Sequence, residues 1–293
     1  MEKHIVKRMF LCLCFAGIFC QALAQKIPYR GERLIFTSEG NQHDRGDWAS
    51  TPFTLALFSA LELQDQLMVF AFSDHTWGSN QFISGADAQM RESAFLGARH
   101  FDFKKTKFIE AVTAPNYAII EITEQINKSS EKNPLTILVG GPMESVGSAL
   151  NEADSSKLKY VQVISNSKWD REHAEKPLEG ESHKGWTWEK IKENFQPKGV
   201  QLVDLEEKRK TAYALHSSLE ELSWLTSSPQ KDEKPYQKGS WEWLYDRMEA
   251  SVYEGRVELT DLALVMYLLT GNDSPSLKEM KSILESPQKF KAN

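Results

Sequence analysis

Glu39 and Asp44 stand five residues apart in one polar stretch. Two carboxylates at that spacing can converge on a hard cation, which takes oxygen ligands. The same pair also reads as a solvated acidic turn in which Asp44 caps the helix that follows. Asp74 and His75 follow a second apolar run; His75 reads either as a proton donor at a pocket or as a surface or capping histidine. Gly140-Gly141-Pro142 follows an apolar run and leads to Glu144; taken alone it is a tight turn. Asn166 ends another apolar run and either binds a hydroxyl or only terminates the strand. Beyond it come Trp169, His173, His183, Trp186 and Trp188. Trp offers a flat apolar face and a polar N–H, so Trp77, Trp169, Trp186 and Trp188 read either as a platform for a ring or as packing anchors. Trp224, Trp241 and Trp243 read as helix-face core.

Positioning these groups at one place requires a particular order of elements. Arg33–Ser38, Leu67–Phe72, Leu135–Val139 and Tyr160–Ile164 are short apolar, β-favouring runs and predict strands, with Val200–Asp204 as a further one. Between them, a helix is expected from Thr51-Pro52 through Phe53, Leu57 and Leu61, the proline sitting in its first turn. Further helices are expected over Asp87–Ala98, Asn116–Asn127, Val146–Ala153, Trp241–Ala250 and Asp261–Leu269. Thr260-Asp261 stands where capping residues stand, and Gly271 fits a helix stop. The alternation predicts an α/β fold of three layers: a mostly parallel open sheet with helices on both faces. Ligands of such sheets bind beyond the carboxyl ends of the strands. That edge carries Glu39, Asp44, Asp74, His75, Glu144 and Asn166. Ser167–Trp188 is polar and aromatic without helical period, and predicts a long surface loop that covers the pocket and sets substrate choice.

Three segments together resemble a known family. Leu34 to Leu57, LIFTSEGNQHDRGDWASTPFTLAL, is similar to the first strand, aspartate-rich loop and first helix of the nucleoside hydrolase superfamily, and in particular of its secreted members of unassigned activity. Pro134 to Leu150, PLTILVGGPMESVGSAL, resembles the family's strand, Gly-Pro turn and helix. Glu258 to Val265, ELTDLALV, resembles the late segment whose helix-start aspartate closes a metal site. The three come in the family's order. The resemblance implies calcium as cofactor, held by Glu39, Asp44, the main-chain carbonyl of Glu144 and Asp261. Thr37, Glu39 and His43 stand where the family has aspartates, and the asparagines it carries after the second strand are absent, so nucleoside recognition does not carry over with the fold.

The resemblance implies hydrolysis of a glycosyl bond, the N-glycosidic bond of a ribonucleoside or an O-glycoside, by metal-activated water. Glu39 is the candidate base, sharing that duty with Asp44. Asp74, His75, Asn166, Trp169 and His173 are the candidate substrate-binding residues, with His75 or His173 able to protonate a leaving group. The alternative is a non-catalytic protein on the same fold that binds a carbohydrate or another ligand, since a fold does not fix an activity. The expected partners are a small nucleoside or a glycan, and a second copy of the chain in a homo-oligomer.

Composition narrows the rest. The chain has 293 residues with 35 basic and 41 acidic side chains, a net charge of -6, and so lacks the basic footprint of a general nucleic-acid binder. Residues 1–24 read as a cleaved signal: Lys3, Lys7 and Arg8, an apolar run from Met9 to Phe19, then Ala22-Leu23-Ala24 before Gln25. Cleavage there leaves 32 basic and 40 acidic residues, a net of -8, and removes Cys12, Cys14 and Cys20, all three cysteines. The mature chain, 25–293, is then expected as one domain without disulfide or thiolate chemistry, in the periplasm or outside the cell, with no membrane segment after the signal.

Overall fold

The computed structural model describes residues 29, 31–39, 45–76, 85–172, 174, 185–233 and 235–290. Its strands are β1 (Arg33–Ser38), β2 (Leu67–Phe72), β3 (Lys107–Glu110), β4 (Leu135–Gly140), β5 (Val161–Ser165), β6 (Gln201–Asp204), β7 (His216–Ser217) and β8 (Val257–Glu258). The first half carries helices α1 (Gly46–Ala60), α2 (Ala86–Arg91), α3 (Gly97–His100), α4 (Pro115–Asn127), α5 (Glu144–Glu152) and α6 (Lys168–Glu172). A π-helical segment, Glu92–Leu96, joins α2 to α3. The second half carries α7 (Trp188–Phe195), α8 (Leu205–Arg209), α9 (Leu219–Leu222) and α10 (Trp224–Ser227). It ends with α11 (Ser240–Ser251), α12 (Leu262–Thr270) and α13 (Leu277–Glu285). No described helix is long and apolar enough to cross a membrane.

The expected sheet is present. Six strands lie in the order β3-β2-β1-β4-β5-β6, and every pair is parallel. Alternate residues of each strand feed opposite layers, as the two-residue period requires. Leu34, Phe36, Phe70, Phe72, Leu138 and Ile164 pack toward α1, α11 and α12. Ile35, Val69, Ala71, Ile137, Val139 and Val163 pack toward α4, α5 and α7. Because the chain moves outward from β1 to β2 and β3, then returns to β4 on the other side, the strand order reverses between β1 and β4. That reversal leaves a crevice at their carboxyl ends.

Several elements differ from expectation for identifiable reasons. The first helix starts at Gly46, so Pro52 lies inside it rather than in its first turn. A proline there removes the donor to the carbonyl four residues back. That carbonyl belongs to Trp48, and it accepts from the Ser93 hydroxyl at 2.6 Å instead. Every residue of α1 is buried, since it lies between the sheet and the outer helices, and its apolar residues therefore run all round. The span from Ser167 to Trp188 is not one loop. It opens with α6, and Trp188 begins α7 with 5% exposure, inside the core under the sheet. Trp186 packs against Phe195 with ring centroids 5.2 Å apart. These two tryptophans are therefore core anchors and not a ring platform. β3 is too short and too charged to be read from sequence, whereas α13 does carry a capping box, Ser276 and Glu279, and an apolar face, Met280, Ile283 and Leu284, that the sequence reading did not take up.

Candidate functional site

Glu39 follows β1 directly, and its amide donates to the Gly140 carbonyl at 3.0 Å, continuing the β1–β4 ladder one residue past the strand. The chain behind it passes close to Gly141: a Cβ there would stand 2.9 Å from the Glu39 nitrogen. Asp261 precedes α12 and makes no side-chain hydrogen bond to cap it. Its carboxylate turns instead to the strand end, where a Cβ on Gly140 would lie 3.0 Å from Oδ2. The two glycines thus create the room in which Glu39 and Asp261 approach the same crevice. Of the Gly-Gly-Pro turn, Gly140 and Gly141 are the residues placed against them. Glu144 begins α5, and its carboxylate accepts from the Trp186 amide at 2.8 Å and the Ser148 hydroxyl at 3.4 Å.

Asp74 lies one strand over and is fully buried. Its amide donates to the Ser38 carbonyl at 3.0 Å, and its Oδ1 accepts from the Ser145 hydroxyl. Its Oδ2 has no hydrogen-bond partner in the structure. Burial raises the Asp74 carboxyl well above the usual carboxylate range, the Ser145 hydrogen bond opposes that, and the nearby negative Glu144 adds to it. The balance favours the protonated form of Asp74 relative to an exposed aspartate.

His75 is 1% exposed, and its ring meets Trp169 edge to face, centroids 5.8 Å apart at 88°. Trp169, on α6, is 38% exposed. α6 is tied down by Arg171, which pairs with Asp204 and Glu206, and by the Lys168 amide, which donates to Glu206 at 2.8 Å. Asn166 is buried, and its amide is engaged within the protein: Oδ1 accepts from Arg209 at 2.8 Å and Nδ2 donates to the Thr260 carbonyl at 3.4 Å. It links the end of β5 to the residue before Asp261.

The expected residues Glu39, Asp74, His75, Glu144, Asn166, Trp169 and Asp261 all lie at the carboxyl edge of the sheet, on or just after its strand ends or at the start of α12. Asp44, His43, Trp77, His173 and His183 lie outside the described residues. Among the described residues, no three His, Cys, Asp or Glu side chains form a group able to hold a metal ion. Sequence reading missed Asp47, a buried carboxylate of α1 that accepts from the Ser38 hydroxyl at 2.7 Å. It also missed Ser145 and Arg209. The signal for Asp47 was the acidic residue in the first turn of a helix directly after the Glu39 stretch.

No protein-family model matches the chain. A protein of Formosa agariphila called Uncharacterized protein P22 is 24% identical over 281 residues, covering 90% of this chain and 95% of that protein. Among solved structures, a plant nucleoside hydrolase, the PpNRh1 enzyme, is similar over 82% of this chain and 79% of its own, with 12% identity and a TM-score of 0.41. A score of 0.41 establishes neither a shared fold nor a shared activity.

Proposed function

We propose that the protein is a secreted hydrolase of a glycosyl bond, of a nucleoside or of an O-glycoside, working with calcium in the crevice between β1 and β4. The observation that carries this reading is the approach of Glu39 and Asp261 to the same pair of glycines at the point where the strand order reverses. Glu39 and Asp261 bring donor chemistry suited to a hard cation, two carboxylates of the larger set the family resemblance implies. Their donors are oxygens only, and Asp261 occupies the space that a side chain on Gly140 would fill. Glu39, Asp44, Asp261 and the main-chain carbonyl of Glu144 would hold it, as the family resemblance implies.

Calcium, when bound, would acidify a water and orient it. Glu39 would be placed to take the proton from a water directed at the anomeric carbon, with Asp44 sharing that duty. The anionic carboxylates favour the oxocarbenium-like character that develops on the sugar. Asp74, fully buried and tied to Ser38 and Ser145, positions the turn that carries His75. Of the two candidate histidines for protonating the departing group, His75 is 1% exposed beneath Trp169, which leaves that role to His173.

The test is metal analysis of the purified mature protein, followed by release assays on nucleosides and oligosaccharides with and without chelator. Release that chelator abolishes and Asp261→Asn reduces by at least about a hundredfold supports the reading, a loss on the scale of an electrostatic catalytic group. Absence of release from every compound, with no chelator effect on stability, refutes it. Binding without release supports the alternative of a ligand-binding protein.

A further inference from the structure

His75 follows β2, and Trp169 follows β5. In the sheet, β2 and β5 are not neighbours: β1 and β4 lie between them. Three strand spacings separate them, about 14 Å. Yet the two rings stand 5.8 Å apart, edge to face. Both residues are reached from the carboxyl ends of their strands, so their contact passes over the ends of β1 and β4. Those are the strand ends that present Glu39 and Gly140. The crevice is therefore bridged from side to side.

The bridge is built to stay in place. On one side, Asp74, next to His75, is tied to Ser38 of β1 and Ser145 of α5. On the other, Arg171 holds α6 to Asp204 and Glu206. The cover also accounts for burial. His75 is three residues past the end of its strand and still 1% exposed, whereas Trp169, the outer member, is 38% exposed.

We infer that the His75–Trp169 bridge selects substrate by shape. The crevice admits a glycosyl group presented end-on, that of a small glycoside or of a chain terminus. It excludes a polymer that would have to thread through to bring an internal bond to Glu39 and Asp261. This inference rests on the proposed hydrolase reading for its substrate and on the ring contact for its geometry, and the two are tested separately.

For geometry, the full-length mature protein is treated with diethyl pyrocarbonate, and modification of each histidine is followed by peptide mass spectrometry. Exposed His216 serves as the internal reference. In the wild type, His75 should react at least about tenfold more slowly than His216. Trp169→Ala should remove most of that protection, and Trp169→Phe should keep it. Fast modification of wild-type His75, or protection unchanged in Trp169→Ala, overturns the bridge whether or not the protein is a hydrolase. For selection, linear oligosaccharides with free ends are compared with the same chains blocked at both ends. The wild type should release only terminal units and leave blocked chains intact, and Trp169→Ala should gain action on blocked chains. Internal cleavage of blocked chains by the wild type refutes the selection. Lack of release from every small glycoside, with His75 protected as expected, refutes the hydrolase reading and with it the selection, while the bridge stands.

Discussion

Two neighbouring glycines allow the crevice to be dissected with single methyl groups. Neither Gly140 nor Gly141 has a positive φ, so alanine is conformationally allowed at both and only space decides. At Gly141 the new Cβ meets the backbone of Glu39, 2.9 Å from its nitrogen and 3.3 Å from its Cα. Ordinary contact begins at 3.4 Å, so the overlap is about 0.5 Å against main chain that is fixed by the Glu39–Gly140 hydrogen bond. Overpacking of that kind costs about 1–3 kcal/mol, offset by about 0.4–1 kcal/mol from the stiffer unfolded chain. Gly141→Ala should therefore destabilise by about 1–2 kcal/mol, with or without calcium. At Gly140 the closest atom is Oδ2 of Asp261 at 3.0 Å, the far end of a side chain, and the nearest main-chain atom is the Thr37 oxygen at 3.3 Å, a milder overlap than at Gly141. Gly140→Ala should cost less than about 1 kcal/mol in chelator, because the steric and chain-entropy effects nearly cancel. In calcium at a hundredfold excess over Kd, the wild type should gain about 2.7 kcal/mol, and Gly140→Ala should lose most of that gain. The assay is urea unfolding of the three proteins in calcium and in chelator. Equal destabilisation by both alanines in chelator, or a calcium gain unaffected by Gly140→Ala, would refute the idea that Asp261 is poised at this glycine to bind a ligand.

Other outcomes follow from single groups. Asp74 has a folded pKa raised above its unfolded value near 3.8, so the native state holds a proton that the unfolded state loses. Stability should therefore fall as pH rises above about 4, by up to about 1.4 kcal/mol per pH unit until the folded group ionises. Asp74→Asn should remove that slope, and parallel curves for the two proteins would show that Asp74 is not held neutral. Arg171→Met should cost about 1–3 kcal/mol: Asp204, whose side chain is only 6% exposed, loses its cation and keeps only the hydrogen bond from the Glu207 amide at 2.9 Å that caps α8. A loss under about 1 kcal/mol in thermal or urea unfolding would class the pair with ordinary surface ion pairs. Exported protein should begin at Gln25 and unfold identically with and without reductant. N-terminal sequencing that finds Met1, or a lipid-modified Cys20, would count against the signal assignment.

The strand runs β1, β2, β4, β5 and β6, most of the long helices, and their alternation were legible in the residue pattern. From those follow the parallel sheet and the edge at which polar residues gather. These features are local: a strand buried on both faces must be an unbroken apolar run, and a crossover between parallel strands must be long enough to hold a helix. Glu39, Asp74, His75 and Asn166 were legible because each stands one to three residues past such a run. Contacts between distant segments were not legible there, because they exist only once the chain has folded. Asp261 approaches Gly140 across more than a hundred residues of chain. Ser93 satisfies the carbonyl that Pro52 leaves open in α1, so the helix starts earlier than its proline suggested. Trp188 enters the core while Trp169, in the same polar stretch, stays half exposed across the crevice from β2. Periodicity reports that a face is buried, but not against what. A tryptophan in a polar stretch has no period to report, so its role is settled by which strand end the folded chain brings beside it.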